Sequence, residues 1–548
     1  MPQRASTQAR QSPLAPFRLP TFRALWLATL VSNLGTLIQM VGAGWLMTSL
    51  TTSHDLVALV QASNTLPIMT FSLVAGALAD SYDRRRIMLT AQSFMLVASI
   101  GLAVFAYHGL LTPWLLLSFT FLIGCGMALH TPSWQASVGD IVPREDLPSA
   151  VALNSMGFNL MRSIGPAIGG TIVAVAGAAM AFAVNAASYI ALIFALWRWR
   201  PEEKTSPLPR ESLGSAISAG VRYVAMSPNL MKVMFRGFLF GLGSVSILAL
   251  LPLVVRNIIG GSAITYGLML GAFGIGAIGG ALTSARLRER FSNETIVRVA
   301  FLGLAVSTVV VATSSQAWLS HAILMLAGAC WVLALSLLNV SVQLSTPRWV
   351  VGRALALYQT ATFGGMASGS WIWGLIADAH GPDQALLYSS ILLVAGALVG
   401  LKFALPEIGG LNLDPLDRFN EPALRLDLTA RSGPILVMVE YIIEQEDIPA
   451  FLKLMTDRRR IRIRDGARQW TLLRDLENPD VWTESYHVPT WVEYVRHNQR
   501  RTKADAECYE RILALHRGEG KPRVHRMIER QAVPHRDDTP IKDIPDLP

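Results

Sequence analysis

The residues best placed to do chemistry sit inside, or at the ends of, long apolar runs. Arg162 stands 162 − 149 = 13 residues into the apolar run 149–174, and Ser155, Asn159, Arg162 and Pro166 share one face at helical spacing. At 1.5 Å per residue the guanidinium lies about 20 Å along that helix. A charge at such depth is costly in lipid and turns toward the protein interior or a water-filled cavity. There it can attract carboxylate or catecholate groups. An arginine tied to helix ends and backbone carbonyls is the competing reading. Asn33, Asn64, Asn339, Gln343 and Tyr358 are further candidate cavity liners, as are Gln39, Asn185 and Gln359. Taken singly, each more often bonds one helix to another. No Asp or Glu lies deep in an apolar run. Asp80, Asp140 and Asp378 stand at run ends, and His130 is the titratable group well inside the first half besides Arg162. No metal-ligand spacing or nucleotide loop accompanies these residues, so no metal and no cofactor is expected.

A second cluster is the charged turn Gly76-Ala77-Leu78-Ala79-Asp80-Ser81-Tyr82-Asp83-Arg84-Arg85-Arg86. A carboxylate at Asp80 can face the positive N-terminal end of the helix that begins near Arg353, and that contact would hold one side of the protein shut. Arg84, Arg85 and Arg86 can pair with Asp80, Asp83 or lipid phosphates. In the competing reading all five charges only anchor the loop and set topology. Part of the turn recurs as Gly280-Ala281-Leu282, with Arg288 and Arg290 in place of Arg84 and Arg86, at an offset of 280 − 76 = 204 residues. Ser284 takes the place of Asp80, so any such gate is asymmetric. The same offset carries Ser137-Val138 onto Ser341-Val342, Pro143-Arg144 onto Pro347-Arg348, and Gly165 and Gly170 onto Gly369 and Gly374. Matches of Gly, Pro and Arg at one offset imply two halves of like topology, related by an axis along the membrane normal. Transporters of this design bind substrate between the halves near the midplane and rock around it.

Membrane helices must hold these sites. Of 548 residues 52% are hydrophobic and 16% charged, against about 25% charged in soluble domains. A helix needs about 20 apolar residues to cross a bilayer. Twelve such runs stand near 24–49, 56–79, 87–108, 112–136, 149–174, 178–198, 231–255, 264–285, 295–313, 317–343, 353–377 and 383–404. The expected fold class is an all-α membrane protein with six-helix halves at 24–198 and 231–404, plus a small cytosolic α+β domain. Alternate turns hold Arg84, Arg85, Arg86, Arg144, Arg198, Arg200, Lys204, Arg210, Arg286, Arg288, Arg290, Arg348 and Arg353, while the turns between hold only Arg256. The positive-inside rule then puts both termini in the cytoplasm. The net charge of +9 serves orientation, and no nucleic-acid partner is expected. Residues 1–23 read as a cytoplasmic segment without a signal-peptide cleavage site. Segment 199–230 reads as a cytoplasmic linker whose amphipathic helix, with Leu213, Ile217, Val221 and Val224 on one face, lies on the membrane surface. Cys125, Cys330 and Cys508 make no disulfide framework.

Gly76-x-Leu78-x-Asp80 followed by Arg84-Arg85-Arg86 resembles the loop signature after the second helix of the major facilitator superfamily. Gly165-Pro166-Ala167-Ile168-Gly169-Gly170 resembles the core of its antiporter motif, where small residues permit close helix approach and proline permits a bend. Thr131-Pro132-Ser133-Trp134-Gln135-Ala136, Val142-Pro143-Arg144-Glu145-Asp146-Leu147, Asn154 and Arg162-Ser163-Ile164-Gly165-Pro166 look like the branch of bacterial enterobactin exporters, also labelled transmembrane secretion effectors. The resemblance covers roughly residues 15–405, and nearly the whole chain in versions with a cytosolic tail. It implies export of siderophores or drugs across a bacterial inner membrane, with protons as the candidate coupling ion. Three departures stand out: Asp83 replaces a usual glycine, Ala152 and Met161 replace upstream glycines of the antiporter motif, and the fourth span lacks the arginine that drug antiporters often carry.

Residues 405–432 have a Pro- and Gly-rich linker composition, 433–531 read as β-α-β-β-α-β, and 532–548 as a flexible tail. The small domain resembles the antibiotic-biosynthesis monooxygenase fold, which usually pairs, so the resemblance implies a homodimer through it. Trp470, Trp482, His487 and Trp491 could line a pocket there, although core packing is the commoner fate of tryptophan. The expected function is secondary active export of a small, siderophore-like or drug-like, anionic molecule by alternating access, with the bilayer and that molecule as partners and no enzymatic activity. An importer on the same fold, or a membrane-anchored cofactor-independent monooxygenase, are the alternatives.

Overall fold

The computed structural model describes residues 14–143, 146–200, 213–347, 349–405 and 424–529, with residues 413, 416 and 422 between the last two stretches. Expectations for residues 1–13, Lys204, Arg210, most of the linker 405–432 and the tail 532–548 lie outside the described residues. So do Arg144, Arg348 and the side chain of Asp80.

The chain divides into two compact units. The first comprises Met1–Ile217, Met231–Val342 and Leu355–Glu407. Its helices are α1 (Pro20–Leu50), α2 (His54–Ser81), α3 (Arg84–Tyr107), α4 (Pro113–Ile141), α5 (Leu147–Arg198), the start of α6 (Leu213–Ala225), most of α7 (Pro228–Leu253), α8 (Ala263–Arg290), α9 (Asn293–Thr313), most of α10 (Ala317–Leu344), most of α11 (Val351–His380) and α12 (Pro382–Lys402). Proline stands in the first turn of α1, α4, α5 and α12, where its missing N–H costs nothing. Thr112 and Ser292 cap α4 and α9 by accepting from Leu115 N and Thr295 N. Large apolar side chains such as Val97, Ile190, Val306 and Leu398 are exposed, as a lipid-facing surface requires.

Ten helices of the described residues are long and apolar enough to cross a membrane. The 52 residues of α5 would run about 78 Å, far beyond a bilayer core of about 30 Å. The helix breaks at Gly177, where φ 79° and ψ 170° suit a residue without Cβ. The two rods of α5 count as one of the ten, and α11 is not among them. That is where ten and the expected twelve differ.

The internal repeat is visible in packing. A Cβ on Gly165 would lie 2.9 Å from Leu37 of α1, and one on Gly369 would lie 2.5 Å from the Leu242 carbonyl of α7. Likewise Gly170 abuts Ala263 and Gly267 of α8, and Gly374 abuts Asp55 and Ala58 of α2. The 204-residue offset thus carries the α5–α1 crossing onto α11–α7 and the α5–α8 crossing onto α11–α2. Ser137 and Ser341 are both buried and both donate to the carbonyl four residues back, at 2.7 and 2.8 Å. The glycines of the charged turn are not equivalent: a Cβ on Gly76 meets open space, whereas Gly280 is pressed against Ala329.

The second unit comprises Ser218–Leu230, Gln343–Ala354 and Ile408–Pro548. Its sheet contains β1 (Ile435–Ile442), β2 (Arg468–Arg474), β3 (Val481–Val488) and β4 (Arg523–Ile528), antiparallel in the order β2-β3-β1-β4. Helices α13 (Ile448–Asp465), α14 (Trp491–Gln499) and α15 (Lys503–Leu515) complete the ferredoxin-like order. Burial alternates along β1 and β3, so one face of each forms the core with Phe451, Trp482, Tyr486 and Trp491. Trp482 and Trp491 are therefore core residues, and Trp470 donates to Glu484 at 3.1 Å. His487 lies on the opposite face of β3 from Trp482, because they stand an odd 487 − 482 = 5 positions apart and side chains alternate. The pocket expected from these four residues does not form.

The end of α6 belongs to this unit. Tyr223 meets Trp349 edge-on at 5.6 Å, Arg464 lies 5.1 Å over Tyr223, and Arg500 lies 4.2 Å over Trp349. Ala219, Tyr223 and Val224 are buried and Val221 is exposed. The apolar face expected to lie on lipid is in part a protein contact.

Candidate functional site

A cavity of about 530 Å³ lies between α1, α4 and α5. Each helix contributes one face: Trp26, Asn33 and their neighbours from α1, His130 and Trp134 from α4, Ser155 and Asn159 from α5. The volume falls in the range of small-molecule sites, about 300–1,000 Å³. His130 is the titratable side chain of this wall; it is buried, and its Nδ1 has no hydrogen-bond partner among the described residues. Asn159 donates through Nδ2 to Ser155 O at 2.8 Å, which leaves its side-chain oxygen for another donor.

Of the expected liners, Asn33, Ser155 and Asn159 meet in this cavity. Arg162 lies one turn further along α5, with its guanidinium 5.2 Å from the Phe273 ring centroid on α8. Among the described residues no carboxylate or carbonyl bonds it. Asn64, Asn339, Gln343 and Tyr358 are not brought to the cavity. Asn64 donates to Val60 O at 3.1 Å, Tyr358 is buried and donates to Leu335 O at 3.3 Å, and Gln343 belongs to the other unit. Gln39 and Asn185 hold helices together instead: Asn185 Nδ2 donates to Gln39 Oε1, and Ser99 donates to Gln39 at 3.2 Å. Trp373 is buried and donates to Leu242 O at 2.7 Å, whereas Trp371 is exposed.

The arginines of the charged turn do not gather on one carboxylate. Arg84 pairs with Asp140 at 2.6 Å and donates to Ala79 O and Ala136 O, both at 3.0 Å. Arg85 donates to Leu196 O at 2.9 Å and Trp197 O at 2.7 Å, satisfying carbonyls at the C-terminal end of α5. Arg86 pairs with Asp83 at 3.4 Å, and Asp83 also accepts from Arg85 N at the start of α3. Together Arg84 and Arg85 bind α3 to α4 and α5. Gly165, Pro166, Gly169 and Gly170 lie where α5 crosses α1 and α8. There a Cβ on Gly169 would stand 3.0 Å from Ile38 Cα, and one on Gly170 2.5 Å from Ala263 O.

A match to the family described as transmembrane secretion effectors runs over residues 11–533. The chain belongs to this family. Among similar proteins, the enterobactin exporter EntS of Citrobacter koseri is 27% identical over 407 residues, 74% of this chain and 94% of its own. The staphyloferrin A transporter of Staphylococcus aureus is 30% identical over 251 residues, 45% of this chain and 62% of its own. A bacterial homologue of the human lysosomal transporter Spinster, inward-facing and unoccupied, superposes with TM-score 0.57 at 13% identity, covering 71% of this chain and 97% of its own. The POT family transporter PepTSo gives TM-score 0.58 at 11% identity over 70% and 98%. The fold is that of a major facilitator, and this secretion effector is a multi-pass membrane transporter rather than an enzyme.

Sequence reasoning missed two contacts in this secretion effector. Arg236 is fully buried in α7 and donates to Glu294 Oε1 at 3.2 Å. Glu294 also accepts from Leu405 N at 2.9 Å, so the pair ties α7, α9 and the segment that follows α12. The signal was there: Arg236 falls inside an apolar run, and Glu294 follows the cap Ser292 in a first helical turn. The second contact joins α2 to α11. Asp378 Oδ1 accepts from His54 N at 3.0 Å, and His54 Nδ1 lies 2.9 Å from Ala377 O. A carboxylate facing a helix N-terminus was expected of Asp80, and Asp378 supplies one at the start of α2.

Proposed function

We propose that this protein exports a small anionic molecule, siderophore-like or drug-like, across the bacterial inner membrane by alternating access. The observation that carries the reading is the cavity of about 530 Å³, with an arginine unpaired among the described residues one turn beyond Asn159 on the same helix. A guanidinium without a counter-ion in an apolar surround favours a ligand that brings the negative charge. The enterobactin exporters among its relatives support the direction, and the staphyloferrin A transporter supports siderophore-class cargo. Twelve spans, with both termini cytoplasmic, follow from dividing α5 at Gly177, adding α11 and applying the positive-inside rule. His130 is the group through which protons would couple, as the titratable side chain of the cavity wall. Asp80 and the Arg84–Arg86 turn gate one side. Homodimerisation through the sheet belongs to the same reading: Leu436, Met438, Leu473 and Met527 share the face of the sheet opposite its core.

Arg162→Gln tests the reading. Loss of a charged hydrogen-bonding partner is worth about 1.5–3 kcal/mol, so efflux of a catecholate or tricarboxylate cargo should fall at least tenfold at equal membrane insertion. Efflux of a neutral cargo should persist. Equal efflux of the anionic cargo by variant and wild type would refute it.

A further inference from the structure

The C-terminal domain holds a second cavity, of about 50 Å³, lined by Arg458, Arg462, Asp465, His497, Arg501 and Tyr509 among others. Among the described residues the charges around it pair off with one left over. Glu484 is fully buried and accepts from Arg458 at 3.1 Å and Arg462 at 3.0 Å. Arg464 donates to Asp465 at 2.9 Å and to Asp505 at 2.9 and 3.0 Å. Three carboxylates thus answer three arginines. His497 is neutral: its Nε2 lies 3.0 Å from Arg462 Nη1 and accepts from it. Burial, then Arg462 and Arg501, hold its pKa well below the usual imidazole range.

Arg501 is the remainder. Its backbone carbonyl accepts from Leu416 N at 3.0 Å. Its half-buried guanidinium has no hydrogen bond or ion pair among the described residues. Burial, then Arg462 and Arg458, push its pKa down to about 10, which leaves it charged at neutral pH. A cation unpaired among the described residues, on a cavity wall that Arg458 and Arg462 share with the already paired Asp465 and Asp505, is an electrostatic setting that captures an oxyanion. Space for a few water-sized spheres admits one anionic group and excludes a whole siderophore.

We propose that this cavity binds a small carboxylate or phosphate, with Arg501 as its principal ligand. The site is separate from the transport cavity, and its occupant is a free small anion. The test is isothermal titration calorimetry on the full-length protein in detergent at low chloride, with inorganic phosphate and with citrate as probes. Wild type should show saturable binding of at least one probe, and Arg501→Gln should weaken it at least tenfold. Arg517→Gln removes the same charge from an exposed arginine paired with Asp447 and should leave binding unchanged. Arg162→Gln should leave phosphate binding unchanged, which separates this site from the transport reading. Should Arg501→Gln unfold the domain, Arg501→Lys decides: severalfold weaker binding supports the site, and unchanged affinity overturns it. Absence of saturable binding of either probe to wild type, or equal affinity in Arg501→Gln, overturns the proposal.

Discussion

Gly170→Leu places a wedge at the crossing of α5 and α8. A Cβ at position 170 would stand 2.5 Å from Ala263 O and 3.0 Å from Gly267 Cα. Ordinary contact between heavy atoms is about 3.5–4.0 Å, so the helices must part by about 1 Å. Overpacking of this kind costs about 1–3 kcal/mol. If the opposite access state lacks this crossing, only the state seen here is penalised, and the equilibrium between states moves by about 5- to 150-fold. The assay follows Asn159→Cys in a background with Cys125, Cys330 and Cys508 replaced by serine, using a membrane-impermeant maleimide. Asn159 lines the cavity and is accessible in this state. Gly170→Leu should slow its labelling at least fivefold and reduce efflux. Gly279→Leu is the control, because a Cβ there, on the exposed face of α8, meets nothing within 4 Å. Unchanged labelling with full efflux in Gly170→Leu would refute the reasoning.

Three further outcomes are expected. Glu484→Gln leaves Arg458 and Arg462 without their buried carboxylate and should destabilise the C-terminal domain by about 3–5 kcal/mol, measured by denaturant melts followed by tryptophan fluorescence. Burial alone would raise the Glu484 pKa, but Arg462 and Arg458 outweigh it and hold the group well below the carboxylate range. Its contribution is therefore complete above the unfolded pKa of about 4.3 and is lost as pH falls below that value, so wild type should show acid destabilisation there that Glu484→Gln lacks. Asp80→Asn should insert normally and transport more slowly; wild-type transport by that variant removes the gate from the account.

Much of the fold was legible because lipid imposes simple rules. Apolar runs of about 20 residues mark helices, and Gly165, Gly170, Gly369 and Gly374 recur at one offset because helix crossings need small residues at fixed places. The strand alternation of 435–442 and 481–488 was equally plain, since one face of each is core. Side-chain partners were less legible. Asn159 and Asn185 are the same residue type in successive apolar runs, yet one lines a cavity and the other bonds Gln39, and only the neighbouring helix decides which. Arg84 finds Asp140 from another helix, 56 residues away, and no local pattern announces that pairing. Trp482 and His487 looked like partners until the parity of β3 put them on opposite faces.

The central claim is protein-dependent export of an anionic small molecule, and transport into inside-out membrane vesicles measures it most directly. Vesicles from cells with and without the protein would be given a labelled catecholate siderophore, with a proton gradient imposed and then collapsed by an uncoupler. The account predicts gradient-dependent accumulation that requires the protein and is lost in Arg162→Gln. Equal accumulation with and without the protein, or protein-dependent uptake only in right-side-out vesicles, would contradict it.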